Sequence, residues 1–272
     1  MRTGAPDPAA LRSPALVRFF GRVMGRSMAR AFRAVRVARP GVPALPPGRP
    51  VIVYANHPSW WDPALFILLG TRCWPERQGF GPIEASQLKR YPFFRRIGLF
   101  GVEPGDARAG VGFLATAQRL LSSPGRMLWI TAQGAFTDPR VRPVAIRGGL
   151  PHLAARLPDA VLVPLAVEYP FWTESRPEAL CRFGPLIDAG TTGPLPPAAW
   201  QALLEERLAR TMDALAADAV ARDAGAFTTL VAGTEGVGDI YDLWRRARAW
   251  AGGRSFEAAH GDGPGDRREV PR

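Results

Sequence analysis

A histidine and an aspartate, His57 and Asp62, stand five positions apart in the stretch Ala55-Asn56-His57-Pro58-Ser59-Trp60-Trp61-Asp62-Pro63. Unperturbed imidazole titrates at about pH 6.5, so a neutral histidine can take the proton from a hydroxyl as that oxygen attacks a carbonyl. A carboxylate on the other ring nitrogen fixes the tautomer and stabilises the imidazolium that forms. The reaction this pair suits is attack of an alcohol on an acyl group that is already activated, such as a thioester. No enzyme serine is then needed, and the chain has no Gly-x-Ser-x-Gly elbow. From the pair alone a plainer role stays open, with Asp62 a helix cap and His57 a satisfied polar residue at a strand end.

The elements that must position the pair can be read from the local pattern. Val51–Ala55 is an apolar run that reads as a buried strand, and Pro58 disfavours helical geometry at His57. Asp62-Pro63 reads as a helix start, with the aspartate as N-cap and the proline at the first helical position. A turn between the two must fold the carboxylate back onto the imidazole. Downstream, Pro63–Gly70 reads as a helix, Gly79–Glu84 as a strand, Lys89–Ile97 as a short helix and Leu99–Val102 as a strand. Then come a helix over Ala109–Ser122, a strand over Met127–Thr131, a helix over Gly149–Leu157 and a buried strand over Val161–Glu168. A strand near Leu180–Phe183 precedes a polar helix from Pro197 to about Arg222. Strands alternating with helices predict an α/β fold with a mainly parallel sheet flanked by helices.

Upstream, Leu11–Val37 reads as one long two-sided helix. Arg18, Arg22, Arg26, Arg30, Arg33 and Arg36 recur every three or four residues and line one face. Leu16, Phe20, Val23, Met24, Met28, Ala31, Phe32 and Val35 take most of the other. This is either an ordinary helix packed on the domain or an interfacial one, with Arg18, Phe19, Phe20, Arg22, Met24 and Arg26 meeting an anionic membrane. Phe19, at the edge of the arginine face, favours the second. The linker 39–50 carries five prolines and must be extended or turned.

The stretch NHPSWWD resembles the NHxxxxD block of the glycerolipid (lysophosphatidate-type) acyltransferase superfamily. Further segments resemble that family's later blocks in order: QLKRYPFFRRIGLFGVE (Gln87–Glu103), ITAQGAFTD (Ile130–Asp138) and LVPLAVEY (Leu162–Tyr169). Together they span roughly residues 50–170. The resemblance implies a helix–sheet–helix domain, His57 and Asp62 as catalytic dyad, acyl-CoA or acyl-carrier protein as donor, and N-terminal helices that seat the protein on the membrane.

Two departures bear on the acceptor. The third block, usually Glu-Gly-Thr-Arg, is Gln133-Gly134-Ala135-Phe136 here, and the arginine expected after the second block falls near Pro104. Those arginines are the family's usual grip on phosphate, and neither phenylalanine nor proline offers a guanidinium fork. Either Arg140, Arg142 and Arg147 substitute for them, or the acceptor has no phosphate beside its hydroxyl and Phe136 lines an apolar wall. A changed clamp implies a changed ligand, which favours the second. Ser59, Gln133 and Gly134 complete the candidate binding set, Gly134 because its backbone N–H could approach a substrate oxygen.

Composition narrows the alternatives. A hydrophobic fraction of 47% with 22% charged residues marks a folded chain, and the net charge of +11 calls for an anionic partner. Nucleic acid is not expected, since the arginines concentrate on an amphipathic stretch and no binding motif is present. Cys73 and Cys181 form no CxxC pair, and with only three histidines no metal site or cofactor is expected. His152 is read as structural. No apolar run is long enough to span a bilayer, and arginines interrupt any signal-peptide core. The expected location is therefore the cytoplasmic face of the inner membrane, peripheral or monotopic. The expected organisation is a basic helix over 1–39, a catalytic α/β domain over 40–194, a helical segment over 195–251 and a disordered tail over 252–272. The expected function is O-acyl transfer onto a lysophospholipid or related lipid alcohol. The alternative is a non-catalytic lipid-binding protein on the same fold.

Overall fold

The computed structural model describes residues 7–103 and 107–233. The chain opens on a single turn, α1 (Pro8–Leu11), and the helix α2 (Pro14–Ala31). Ser13 caps α2 by accepting from the Leu16 N–H, and Pro14 occupies the first turn, where a missing donor costs nothing. Then follow β1 (Ala34–Ala38), β2 (Val51–Ala55), α3 (Asp62–Cys73), β3 (Gln78–Glu84), α4 (Ala85–Arg90), a 3-10 turn over Pro92–Ile97 and β4 (Leu99–Val102). The second half contributes α5 (Ala107–Leu121), β5 (Arg126–Thr131), α6 (Gly149–Ala154), β6 (Val161–Glu168), β7 (Glu178–Phe183) and β8 (Ile187–Asp188). It ends with α7 (Ala189–Thr192), α8 (Pro197–Ala221) and β9 (Phe227–Ala232).

All the described strands join one sheet in the order β4-β3-β5-β2-β6-β7-β1-β9, with β8 paired to β6 off that path. The five strands from β4 to β6 are mutually parallel. β7 reverses direction, β1 runs parallel to β7, and β9 closes the edge antiparallel to β1. The mainly parallel α/β expectation holds.

β2 is buried along its whole length because helices cover both faces of the sheet. Its alternate residues go to two cores. Ile52 and Tyr54 pack with Leu128, Leu162, Trp200 and Met212 on the α8 side. Val51, Val53 and Ala55 pack with Leu65, Leu68, Val163 and Phe32 on the α2–α3 side. The strand carrying the candidate base at its end is thus the one held from every direction.

Several expected elements are corrected. The long N-terminal helix stops at Ala31, and residues 34–38 are strand β1. Arg33 and Arg36 therefore leave the helical stripe and are buried. Lys89–Ile97 is not one helix: α4 ends at Arg90 and the rest is a 3-10 turn. α8, expected to be polar, buries Trp200, Leu204, Leu208, Met212 and Leu215 along one face. The segment from 195, expected to be helical, also supplies β9. A helix expected over Asp239–Trp250 and the tail from Gly252 lie outside the described residues.

α2 crosses α3 closely because Gly21 and Gly25 sit at the contact, over Thr71 and Leu68. A Cβ at Gly21 would lie 2.6 Å from Thr71 Oγ1. That hydroxyl is already committed, donating to the Ile67 carbonyl at 2.7 Å. Gly21→Val should therefore push the helices apart at a cost of about 1–3 kcal/mol. A fall of several degrees in the thermal midpoint would register it, and an unchanged midpoint would contradict this account of the crossing.

Candidate active site

His57 stands two residues past the end of β2, and Asp62 is the first residue of α3. The N-cap position falls on Trp61, so Asp62 is not the cap its Pro63 neighbour suggested. Its carboxylate is turned instead toward the strand end. Asp62 Oδ2 lies 2.6 Å from His57 Nδ1 and accepts the Ser59 backbone N–H at 3.2 Å. Asp62 Oδ1 accepts the Tyr169 hydroxyl at 2.8 Å. The Asp62 side chain is wholly buried, whereas that of His57 is 16% exposed.

An ionised carboxylate can only accept, so the proton between the pair belongs to Nδ1. Nε2 then carries a lone pair, and it has no hydrogen-bond partner among the described residues. Such a lone pair could take the proton of a hydroxyl brought against the ring, whose side chain is 16% exposed.

The backbone at His57 is pinned from both sides by the loop after β5. Gln133 Oε1 accepts the His57 N–H at 2.9 Å, and the Thr137 N–H donates to the His57 carbonyl at 2.9 Å. Between these ties the loop places the Phe136 ring 4.4 Å from the imidazole, centroid to centroid. Asn56 is turned the other way and is fully buried. Its side chain donates to the Val167 carbonyl at 2.9 Å and accepts the Val167 N–H at 2.8 Å. It thereby continues the β2–β6 ladder one step past Ala55, which fixes where the strand ends and the histidine begins.

The remaining candidates are placed as follows. The Ser59 hydroxyl accepts the Trp61 N–H at 3.2 Å and so serves the turn, while the Ser59 backbone holds Asp62. Gln133 is occupied with the His57 backbone. Gly134 adopts φ +66°, but its N–H donates to the Thr131 carbonyl at 3.1 Å and is spent inside its own turn. The Arg147 side chain crosses Gly134 so closely that a Cβ there would collide with it. Arg140 is chelated by Asp138 through Nε at 2.9 Å and Nη2 at 2.7 Å. Arg142 is paired with Asp213 and donates to the Pro139 and Val141 carbonyls. Of the three downstream arginines, Arg147 alone has no carboxylate partner among the described residues. The position near Pro104 lies outside the described residues. His152 is exposed on α6.

Beside the strand end lies a cavity of about 110 Å³, lined by Asn56, Val167, Glu168, Arg140, Met212 and Leu215. Burial pushes the Glu168 carboxyl above its ordinary range, and Arg140 pulls it the other way. No cluster of histidine, cysteine and carboxylate suited to a metal ion occurs among the described residues.

On α2 the residues Arg18, Phe19, Arg22 and Arg26 are exposed, and Phe20 and Met24 are half-buried. Phe20 stacks on Phe93 of the 3-10 turn at 5.5 Å, and Tyr91 and Phe93 are themselves exposed. One surface thus joins an arginine stripe to an aromatic cluster from two elements. No described helix is long and apolar enough to cross a membrane.

Tyr169 is the site residue that motif reading did not assign. It closes the segment Leu162–Tyr169, but it lies far from Asp62 in sequence and nothing local marks its hydroxyl as that carboxylate's partner. In comparisons with known proteins, the model of the family described as Acyltransferase matches residues 36–168. No curated protein matches the chain.

Proposed function

Across residues 36–168 the chain belongs to the glycerolipid acyltransferase family, and on that premise we propose that it moves a fatty acyl group from a thioester onto a lipid hydroxyl, with His57 as general base. The observation that carries this reading is the 2.6 Å contact between His57 Nδ1 and a buried Asp62, which leaves Nε2 without a hydrogen-bond partner among the described residues. Nε2 takes the proton of the acceptor hydroxyl as its oxygen bonds to the thioester carbonyl carbon. The tetrahedral oxyanion that results collapses with cleavage of the C–S bond. The departing thiolate, of acyl-CoA or acyl-carrier protein, then takes the proton back from Nε2. Asp62 stabilises the imidazolium between the two transfers. No metal or cofactor enters this scheme.

The acceptor is a lipid alcohol with no free phosphate monoester beside the reacting hydroxyl, a lysophospholipid or a related species. Phe136 stands against the imidazole where a phosphate-gripping guanidinium would be needed. Arg140 and Arg142 are engaged by Asp138 and Asp213, so neither offers a free fork, and Arg147 lies with its side chain across Gly134. Delivery of such an acceptor fits a protein lying on an anionic bilayer at the cytoplasmic face of the inner membrane. The arginine stripe of α2 would meet lipid phosphates, and Phe19, Phe20 and Phe93 the acyl boundary.

The test incubates the protein with palmitoyl-CoA, or with palmitoyl-carrier protein, and vesicles of total bacterial polar lipid. Free thiol is followed and the lipids are weighed by mass spectrometry. An acylated lipid whose mass matches a phosphate-free glycerol or sugar hydroxyl acceptor, or a lysophospholipid, is expected. A phosphatidate product would overturn the acceptor assignment. Vesicle binding without any thiol release would replace transfer by a lipid-binding role.

A further inference from the structure

Asp62 has two carboxylate oxygens in a fully buried site, and they are satisfied unequally. Oδ2 receives the His57 ring nitrogen and the Ser59 N–H, while among the described residues Oδ1 receives only the Tyr169 hydroxyl, at 2.8 Å. A buried carboxylate oxygen without a donor is costly, and the terminal torsion of an aspartate is broad, so an unheld carboxylate can swing off the imidazole. Tyr169 follows directly on β6, beside Val167, which is bound to Asn56 at the strand end that carries His57. Its ring packs 5.3 Å from Phe32, and Phe32 in turn packs 5.2 Å from Trp61, the residue before Asp62.

We propose that Tyr169 is a positioning residue for acyl transfer, its hydroxyl holding the Asp62 carboxylate in the orientation that keeps His57 a base. It touches no substrate and acts only through Asp62. The assignment rests on the dyad reading given above. Burial and the adjacent Asp62 hold the phenol well above its ordinary range, so it remains a donor at any pH the enzyme works in. The titratable groups around the carboxylate are His57 and Tyr169 themselves, with Cys181 beyond the phenol.

Tyr169→Phe removes the hydroxyl and keeps the ring on Phe32. The turnover number for thiol release from palmitoyl-CoA, with vesicles of total bacterial polar lipid, should fall about tenfold with KM unchanged, as for the loss of one hydrogen bond to a charged group. The acid limb of the pH–rate profile should move to lower pH, because a carboxylate free to swing off the imidazole stabilises the imidazolium less. In an Asp62→Asn background the same change should have little further effect, because both substitutions act on one interaction. Full turnover and an unmoved acid limb in Tyr169→Phe, beside an inactive His57→Ala, would overturn the role of Tyr169 and leave the dyad standing. Losses that simply multiply in the Asp62→Asn background would overturn it as well, leaving a merely structural tyrosine. Full turnover in His57→Ala would overturn the dyad reading and this assignment together.

Discussion

His57→Ala should lower thioester turnover by about a thousandfold, within the range general base catalysis contributes. The structure makes the expectation sharp because the one carboxylate in the loop segment Gln133–Asp138 beside His57, Asp138, is already chelated by Arg140. Gln133 and Thr137 are tied to the His57 backbone, and the neighbouring ring is Phe136. Alanine would also leave Asp62 buried beside an empty space, its Oδ2 keeping only the Ser59 N–H. A buried charge that loses its partner destabilises the fold, so the rate must be compared on protein that circular dichroism shows to be folded. His57→Gln is the companion variant. It retains a polar group near Asp62 but cannot cycle a proton, and its rate should fall as far. Thiol release above one tenth of wild type in either folded variant would remove His57 from the mechanism.

Glu178→Ala should cost about 3–5 kcal/mol of stability, as breaking a buried ion pair does, and lower the thermal midpoint by roughly 10 °C. Arg36 on β1 donates from Nε to Glu178 Oε2 at 2.9 Å and from Nη1 to Thr229 Oγ1 at 3.1 Å. Its guanidinium also lies 5.7 Å from the Trp172 ring centroid. One side chain therefore stitches β1 to β7 on one flank and β9 on the other, at the edge where the sheet changes direction. Both partners are buried, so the truncated variant leaves a cation in the interior. The double replacement Arg36→Met with Glu178→Leu should recover part of the loss, since it leaves no Arg36 cation behind. A single variant that melts with wild type, or a double variant worse than the single, would contradict this. Chemical denaturation followed by tryptophan fluorescence measures both.

The contrast between these two sites explains what could be read in advance. The dyad was legible because its determinants are local: an apolar run, a proline after the histidine, and an Asp-Pro pair within a few residues. The parallel sheet was legible because its strands are continuous apolar stretches. Arg36 was misread because the three-to-four-residue spacing of arginines runs on after the helix has ended at Ala31. Nothing nearby announces that Glu178, 142 positions on, neutralises it. Arg142 stayed open as a phosphate contact for the same reason, since Asp213 lies 71 positions away and only folding joins them. That Gln133 turns its carbonyl oxygen to the His57 backbone N–H is likewise set by the fold and not by its place in the motif. Strand β9, with its Thr-Thr-Leu-Val run, carries an ordinary strand composition and was overlooked behind the long helix before it.

The close crossing of α2 over α3 has a mechanical consequence. Gly21 and Gly25 seat α2 on the helix whose first residue is Asp62, and the chain leaves α2 at Phe32, a ring wedged between Trp61 and Tyr169. The amino-terminal helix is therefore a keel and not a mooring line. A form of the protein that trails this helix loose, or sheds it by proteolysis, should lose the packing beneath His57 and Asp62. Whatever surface the arginines of α2 rest on, the molecule must come and go from it whole. An investigator hoping for a better-behaved enzyme by trimming the first thirty residues should expect a dead one.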